Sequence, residues 1–330
     1  MRSGERTRAR AEKTGRPSRV VARPLEGVVA LVAGATRGAG RGIACMLGEA
    51  GAIVYCSGRS TRGHPPAAGL YRGRPETIEE TAAMVTALGG EGVAARTDHL
   101  VPEEVEALVA RIRGERGRLD VLVNDISEGV LHDWRPFWKV SLEKGLEALR
   151  SGVVSHVITS RLAVPLMVES GGRLVVEVGD GDFLDYRATL FYDLVKANVS
   201  RLAFAMAHDL FEHRIAAIAV TPGFMRTEFI LDRRGGTEEN WRDAVGKDPH
   251  FAASETPFFV GRAVAALAAD PKRMEKTGGL FASWTLSDEC GFTDVDGSRP
   301  HWGRYWESTG LTAPGVNPRI PFEWKLVRRD

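Results

Sequence analysis

Short apolar runs alternate with longer stretches of helical periodicity from residue 27 onward. Six apolar runs predict buried strands: 28–34, 52–58, 92–98, 119–125, 172–180 and 215–223. Five longer stretches between them predict helices: 41–51, 75–90, 102–117, 141–170 and 188–214. Apolar strands separated by helices are typical of βαβ units, in which helices cover both faces of a parallel sheet. The pattern therefore predicts an α/β fold with a doubly wound parallel sheet.

No repeat or linker divides residues 25–285, which we interpret as one domain. Within it, the segment 224–256 is polar and follows a strand end, which is typical of a lid. Residues 286–330 contain glycine, proline and aromatic residues with little periodicity, so we expect an irregular C-terminal extension packed on the body. Residues 1–24 form a separate basic leader.

The composition excludes several classes of protein. Hydrophobic residues make up 43% and charged residues 26% of the 330 residues, which excludes a disordered or collagen-like chain. The net charge of +1 is uneven, because the leader has eight basic and two acidic residues, or +6, which leaves −5 on the remainder. The leader has no apolar stretch and is therefore not a signal peptide or membrane anchor. We expect it to be disordered, with contact to a polyanion or a partner as the alternative.

Cysteine usage and hydropathy indicate a soluble, cytoplasmic protein. The three cysteines form no CxxC pair, so they fit neither a disulfide framework nor a zinc site, and we predict no metal. The chain has no uninterrupted run of eighteen apolar residues, which argues against a membrane span. The sequence shows neither a basic face nor stacking aromatic residues on strands, and therefore does not indicate nucleic-acid binding.

The first predicted strand ends in a glycine-rich turn before a helix. The turn has the sequence GATRGAG, with Gly34, Thr36, Arg37, Gly38 and Gly40. Glycines here allow the backbone to approach a pyrophosphate, which sits at the helix N-terminus. The spacing is GxxxGxG rather than GxGxxG, and by itself such a turn is also consistent with a purely structural role. The chain has no GK[ST] at this turn, which disfavours a nucleoside-triphosphate P-loop.

The end of the second predicted strand bears on the choice of cofactor. A ribose with two free hydroxyls is usually bound by an acidic residue there, but the sequence is Cys-Ser-Gly-Arg, ending at Arg59. Arg59 and Arg37 offer positive charge to a 2′-phosphate, which favours NADP(H) over NAD(H). The alternative is that both arginines are solvated surface residues.

Tyr192 and Lys196 lie four residues apart on a predicted helix, and hence on one face. A lysine ammonium beside a phenol stabilises the phenolate and lowers the tyrosine pKa, which makes the phenol usable as an acid or base near neutrality. A YxxxK pair by itself is common, so its meaning depends on the other motifs.

The motifs in combination resemble the short-chain dehydrogenase/reductase superfamily over about residues 25–285. They comprise, in chain order, the three glycines of the turn, Asp98, Asn124, Tyr192 with Lys196, Pro222-Gly223 and Thr227. The sequences ETPFFVGRAVAALAADP and CGFTDVDG further resemble the branch of mammalian dehydrogenase/reductase family member one and its actinobacterial relatives. The resemblance implies a Rossmann-type fold.

The resemblance also implies roles for the matching residues. The glycines would hold the cofactor phosphates, Asp98 would contact adenine, and Asn124 would support the sheet and line the nicotinamide ribose. Tyr192 would be the catalytic acid or base. Lys196 would bind the ribose hydroxyls, and Thr227 would bond the nicotinamide carboxamide.

Three positions depart from the family pattern. At the place of the usual catalytic serine the chain has Gly179 or Asp180, and no serine or threonine lies between 174 and 187. The usual helix asparagine aligns with Gly152, and Asp125-Ile126-Ser127 replaces Asn-Ala-Gly after Asn124. Serine donates to oxygen as negative charge develops there. An ionised Asp180 or Asp182 would instead repel an alkoxide and favour a cationic centre such as an iminium.

These departures leave three hypotheses for the function. The first is an NADP(H)-dependent oxidoreductase of the alcohol dehydrogenase class, which transfers hydride to or from a carbonyl or imine, with Tyr192, Lys196 and Asp180 as catalytic residues. The second is a dehydratase, cyclase or isomerase that uses Tyr192 with an aspartate. The third is a catalytically silent scaffold that binds the cofactor.

Aromatic and apolar residues predict the type of substrate and the oligomeric state. Trp134, Phe137 and Trp138 suit an apolar substrate wall, or equally a cluster that packs their loop onto the body. We expect a hydrophobic small molecule of bacterial secondary metabolism. The helices 141–170 and 188–214 are apolar around much of their circumference, which favours a homodimer or homotetramer, as is usual in the superfamily.

Overall fold

Seven parallel strands form one sheet at the centre of the protein. The computed structural model describes residues 23–66, 69–127, 135–182 and 189–309. The strands are β1 (Val29–Ala33), β2 (Ile53–Gly58), β3 (Glu91–Arg96), β4 (Val121–Asn124), β5 (Leu174–Val178), β6 (Ala216–Thr221) and β7 (Leu280–Ala282). Their order is β3-β2-β1-β4-β5-β6-β7, and every neighbouring pair is parallel. The predicted doubly wound α/β fold is confirmed.

Helices cover both faces of this sheet. The helices of the described residues are α1 (Gly38–Glu49), α2 (Ile78–Ala87), α3 (Pro102–Arg116), α4 (Leu142–Leu149), α5 (Ser155–Ser170), α6 (Leu190–Leu210), α7 (Glu228–Arg234), α8 (Pro257–Ala269), α9 (Ser283–Cys290) and α10 (Trp302–Thr309). One core layer contains side chains of α1, α2 and α8, and the other contains side chains of α3, α5 and α6. The strand order reverses between β1 and β4, where ligands bind in open α/β sheets.

Alternation along β1 explains why the strands are apolar throughout. Ala30 and Val32 lie in the core layer of α1 and α8, whereas Val29 and Leu31 lie in the layer of α3 and α5. All four are at most 2% exposed. Because a strand between two helix layers buries both its faces, it needs apolar residues at every position.

Some elements differ from the prediction. Helix α1 begins at Gly38, three residues before the expected start at 41. Strand β7 was not predicted, since three residues are too few to show a pattern. The extension 286–330 was expected to be irregular, which is wrong for 286–290, where α9 ends, and for 302–309, where α10 forms. The leader up to residue 22 and the segment after 309 lie outside the described residues.

The predicted helix 141–170 is interrupted rather than continuous. A π-helical turn at Arg150–Val154 separates α4 from α5. The stretch Leu142–Ser170 is long and apolar enough on average to cross a membrane, yet only by length and composition, and half of its most apolar window is buried in the protein. On α5, Ala163, Leu166 and Met167 are at most 1% exposed in the core layer beside α3. The helix is therefore part of the protein core.

The segment 224–256, which we interpreted as a lid from the sequence, has a small core of its own. Leu231, Trp241 and Phe251 are buried together, and the guanidinium of Arg226 lies 4.0 Å from the centre of the Trp241 ring. Arg226 is 2% exposed. It donates to the Glu238 carboxylate at 2.7 Å and to the backbone carbonyl of Ser254 at 2.6 Å. The buried charge is thus paired and stacked, which offsets the cost of its burial in this segment.

Helices α1 and α8 cross at two glycines. A Cβ added to Gly42 would lie 1.9 Å from the backbone oxygen of Pro257, and one added to Gly261 would lie 2.4 Å from the backbone oxygen of Gly42. The backbones approach so closely that only glycine fits at either position.

We predict that Gly42→Ala destabilises the protein by about 1–3 kcal/mol, because the added methyl group forces the two helices apart. The matched control is Gly114→Ala on α3, where an added Cβ meets nothing within 4 Å. That variant should be neutral or more stable by about 0.5–1 kcal/mol, since alanine loses less conformational entropy than glycine in a helix. Urea denaturation measures both, and equal effects would contradict the prediction.

Candidate active site

The turn between β1 and α1 brings backbone amides to the carboxyl edge of the sheet. Gly34 has φ +95°, and a Cβ there would lie 2.4 Å from the backbone oxygen of Asp125. A Cβ on Gly40 would lie 2.3 Å from the backbone oxygen of Gly34. Arg37, the N-cap residue of α1, makes no side-chain capping hydrogen bond. The first turn of α1 therefore lies directly against the ends of β1 and β4, and the Arg37 side chain does not cap it.

Arg41 supports this turn from within. Its side chain is 7% exposed, and its Nε donates to the backbone oxygen of Thr36 at 3.1 Å and to Oγ1 of Thr81 at 3.2 Å. Its Nη2 donates to the Glu80 carboxylate at 2.7 Å. Thr36 is itself buried, at 6% exposed. We did not single out Arg41 from the sequence, because nothing in its spacing distinguishes it from a surface arginine.

The two arginines expected at the ribose end differ in their surroundings. Arg37 lies 3.4 Å from the buried Glu76 carboxylate, and its guanidinium lies 4.6 Å from the centre of the Tyr71 ring. Burial lowers the pKa of Arg37, although Glu76 opposes that shift. The Arg59 side chain is 48% exposed and lies 3.8 Å from the Asp98 carboxylate. Glu76 thus brings an acidic group to a region where strand β2 itself has none.

A buried network lies behind the carboxyl ends of β4 and β5. Nδ2 of Asn124 donates to Oε1 of Glu177 at 2.7 Å and to Oγ of Ser160 at 2.9 Å. Nδ1 of His156 is 2.6 Å from Oε2 of Glu177, and its Nε2 is 3.0 Å from the backbone oxygen of Ile126. Although burial opposes it, the Glu177 carboxylate raises the pKa of His156. Glu177 interrupts the apolar strand β5, which is the signal that could have revealed this network.

Asp125 connects this network to the helix turn. Its carboxylate accepts a hydrogen bond from the backbone N–H of Gly40. Burial raises the pKa of Asp125 to about 6, against the opposing effects of Lys196, the Gly40 N–H and His156. The charge of the predicted catalytic lysine thus acts on a buried carboxyl group whose pKa lies above its usual range.

Tyr192 and Lys196 lie on α6, as predicted. Thr189 caps that helix through the backbone N–H of Tyr192, and Nζ of Lys196 lies 5.7 Å from the centre of the Tyr192 ring. The phenol hydroxyl donates a hydrogen bond to Oδ2 of Asp180, which follows β5. The aspartate at the place of the usual serine therefore contacts the predicted catalytic phenol directly.

The two glycines among the departures from the family pattern, Gly179 and Gly152, have structural explanations. Gly179 continues the sheet through its N–H to the backbone oxygen of Val220 at 2.8 Å, and Asp182 lies two residues beyond Asp180 at the end of this described segment. Gly152 lies in the π-helical turn, and a Cβ there would lie 2.6 Å from Cγ1 of Val195. An asparagine at 152 would therefore collide with α6.

The segment after β6 is held by the buried side chain of Glu255. The backbone N–H of Gly223, after Pro222, donates to Oε2 of Glu255 at 3.0 Å, and Oγ of Ser283 donates to the same oxygen at 2.6 Å. Thr227 caps α7 by accepting from the N–H of Ile230 at 3.3 Å. Glu255 was not predicted, because its supporting role depends on residues distant in the sequence.

The expected aromatic wall is only partly described. Trp134 lies outside the described residues. Phe137 and Trp138 are 53% and 70% exposed and contact each other edge to face, with ring centres 5.2 Å apart. Neither of these two aromatic side chains is buried against the body of the protein.

Comparison with known proteins identifies the family. Residues 28–235 match the short chain dehydrogenase family. The chain belongs to this family. The mouse protein named Dehydrogenase/reductase SDR family member 1 is 33% identical over 281 residues, which is 83% of this chain and 85% of the mouse protein. The human protein of that name is 33% identical over 284 residues, or 84% of this chain and 86% of the human protein.

Solved structures share the fold. A putative dehydrogenase from Xanthomonas campestris has a TM-score of 0.68 and 22% identity, and the match covers 83% of this chain and 94% of that one. A short chain dehydrogenase from Mycobacterium thermoresistibile has a TM-score of 0.69 and 22% identity, with 84% and 92% covered. The short-chain dehydrogenases are oxidoreductases that use NAD or NADP, so the chain is assigned to an oxidoreductase family with a nicotinamide cofactor.

The residues at the turn fit such a dinucleotide. The glycines admit close approach of a phosphate, and Gly38 N–H already binds a carboxylate, that of Glu228, at 3.0 Å. A bound carboxylate shows that this position accepts an anion, as expected at a helix N-terminus. The individual roles of Asp98, Asn124, Thr227 and Lys196 toward the cofactor stay predictions from the family resemblance.

We predict that Glu255→Gln removes a pH dependence of stability. Burial raises the pKa of Glu255 from 4.5 to about 8, so the folded state binds a proton more tightly than the unfolded state does. The stabilisation that the protonated Glu255 side chain contributes to the folded state is fully present below pH 4.5. It is lost as the pH rises through about 8. The variant should therefore match the parent protein near pH 4.5 and be more stable at pH 9.

Thermal unfolding between pH 4.5 and 9 measures this difference. The matched control is Glu239→Gln on the exposed part of the lid, which should leave the pH dependence unchanged. The prediction would be contradicted if the unfolding temperatures of Glu255→Gln and of the parent protein changed with pH in the same way.

Proposed function

We propose that the protein is an NADP(H)-dependent oxidoreductase that transfers hydride to or from a carbonyl or imine of a hydrophobic small molecule. The observation that carries the proposal is the contact of Tyr192 with both Asp180 and Lys196 at the carboxyl edge of a dinucleotide-binding sheet. A phenol with a nearby ammonium is a usable proton donor or acceptor.

The chain's residues would divide the binding and the chemistry between them. The turn with Gly34, Gly38 and Gly40 would hold the cofactor diphosphate, and Lys196 would hold the nicotinamide ribose. When bound, the nicotinamide supplies or accepts the hydride. Tyr192 would give its hydroxyl proton to the substrate oxygen or nitrogen during reduction, and take it back during oxidation.

Asp180 favours an imine over a carbonyl substrate. A carboxylate held against the Tyr192 hydroxyl opposes negative charge that develops on a substrate oxygen. The same carboxylate stabilises an iminium, which becomes a neutral amine when it accepts hydride. A neutral imine would first take the Tyr192 proton and then face Asp180 as a cation.

The Tyr192–Asp180 hydrogen bond also supports a second candidate function. A phenol and a carboxylate in contact form an acid and a base, which is sufficient for a dehydratase, cyclase or isomerase without net redox change. A silent scaffold is less well supported, because binding alone does not require the Tyr192 and Lys196 pair.

The proposal extends to the setting of the enzyme. We expect a cytoplasmic protein of bacterial secondary metabolism that forms a homodimer or homotetramer. Apolar side chains on α4, α5 and α6 support association: Leu142, Leu146, Val157 and Leu194 are 66%, 45%, 46% and 38% exposed. Exposed apolar surface of this kind marks interfaces, and light scattering of the purified protein tests the assembly.

We predict that the protein binds NADPH more tightly than NADH, and that Arg59→Ala weakens NADPH binding by about tenfold while NADH binding is unchanged. The reason is that only NADPH carries the 2′-phosphate that Arg59 would bind. Fluorescence titration measures both cofactors.

Arg96→Ala is the matched control, because Arg96 is also 48% exposed and forms an ion pair with a carboxylate, that of Glu104 at 3.7 Å. It should change neither affinity. Equal loss of NADPH and NADH binding in Arg59→Ala would contradict the role of Arg59, and no binding of either cofactor by the parent protein would contradict the proposed function.

We predict that Asp180→Ser raises the reduction of ketones by about 10–100-fold and lowers that of cyclic imines, because a hydroxyl donor replaces a carboxylate beside the substrate. Cofactor oxidation with a panel of ketones, quinones and imines measures the change. Tyr192→Phe should lower every turnover by about 100-fold or more, since the proton donor is lost.

Asp182→Ser is the companion variant. A large effect of Asp182→Ser with none of Asp180→Ser would show that Asp182, and not Asp180, has this role. Tight NADPH binding without turnover on the whole panel would contradict the redox function and favour the alternatives.

A further inference from the structure

The lid places a carboxylate in the helix turn at the carboxyl edge of the sheet. Glu228 lies in the first turn of α7, and its Oε2 accepts the hydrogen bond from the backbone N–H of Gly38 at 3.0 Å. Its Oε1 lies 3.6 Å from Nη1 of the buried Arg41. One side chain of the lid therefore engages both the first amide of α1 and the cation beside it.

Glu228 occupies the position where an anionic ligand would bind. The first amides of a helix have no helical partner, and Arg37 provides no capping side chain for α1. The positive end of the helix and Arg41 together attract negative charge. Glu228 satisfies the same groups that a cofactor diphosphate would use.

A diphosphate and this carboxylate cannot share the position. The Gly38 N–H makes one strong hydrogen bond, and an ionised carboxylate next to a diphosphate repels it. We infer that Glu228 is an internal competitor of the cofactor diphosphate, which leaves when a dinucleotide binds and thereby sets the affinity. The inference rests on the proposed function, because it takes the turn to be the diphosphate site.

Only the Glu228 side chain needs to move. Helix α7 keeps other contacts with the segment after β2: Asp232 forms an ion pair with Arg74, and Phe229 packs edge to face on Tyr71 with ring centres 5.6 Å apart. The Glu228 side chain is 30% exposed, and it borders an open cleft of about 440 Å³. The carboxylate can therefore rotate toward water without unfolding the lid.

Arg41 would stay in place after Glu228 leaves. Its hydrogen bonds to the Thr36 carbonyl, Thr81 and Glu80 do not involve the lid. Its Nη1 faces Glu228 and would become available to a phosphate oxygen. Loss of the Glu228 charge should therefore remove the competitor and preserve the binding groups.

The test is Glu228→Gln, titrated by calorimetry with ADP-ribose, NADPH and adenosine. Glutamine keeps the size of the side chain and removes its charge. We expect ADP-ribose and NADPH to bind about tenfold more tightly than to the parent protein, because both carry the diphosphate. Adenosine has no phosphate, so its affinity should not change.

The matched control is Glu80→Gln, which removes the other carboxylate on Arg41, at 2.7 Å, but does not touch the Gly38 amide. It should change none of the three affinities by more than about twofold. Glu228→Asp is the second variant: its shorter side chain keeps the charge but reaches the amide less well, so it should bind ADP-ribose with an intermediate affinity.

The outcomes separate the inference from the proposed function. If the parent protein binds ADP-ribose and Glu228→Gln binds it equally or more weakly, the inference is overturned and the cofactor site stands. Equal tightening by Glu80→Gln and Glu228→Gln would also overturn it, since the effect would then come from Arg41. Failure of the parent protein and of both glutamine variants to bind NADPH, NADH or ADP-ribose would overturn the proposed function itself.

Discussion

The close approach of α1 to the ends of β1 and β4 is the constraint on which the site depends. Gly34 and Gly40 leave no room for a Cβ between the helix turn, the Gly34 carbonyl and the Asp125 backbone. This contact orients the first turn of α1 toward the carboxyl edge of the sheet. Because β4 and β5 end at the same edge, Asn124, Asp180 and the residues of α6 reach the region that the turn faces.

Charge balance is the second determinant of the site. Glu177 is paired with His156, whose pKa it raises, and Asp125 lies within the electrostatic reach of Lys196. Asp180 in turn accepts the Tyr192 hydroxyl. Each of these three carboxylates thus faces a cation or a donor, which offsets part of the cost of its burial. The extra aspartate at 180 changes which substrate charge the site can stabilise, and the lid contributes a further carboxylate, Glu228, at the diphosphate position.

Prediction from the sequence succeeded where the signal is local. The six longer strands and the pairing of Tyr192 with Lys196 follow from apolar runs and from helical spacing, both of which depend on neighbours within a few residues. The absence of serine between 174 and 187 directed attention to Asp180, which accepts the Tyr192 hydroxyl in the structure, while its catalytic role stays a prediction. Prediction missed β7, the helices α7 to α10 and the π-helical turn that separates α4 from α5.

The sequence by itself determined the class of fold, the order of its elements and the residue types available for chemistry. Only the tertiary structure decided which charges meet: Arg37 pairs with Glu76, 39 residues away, and Gly38 binds Glu228, 190 residues away. The physical reason is the range of the interactions. Secondary structure depends on hydrogen bonds and side-chain burial within a few residues, whereas the protonation and the partners of a buried charge depend on every element that packs around it.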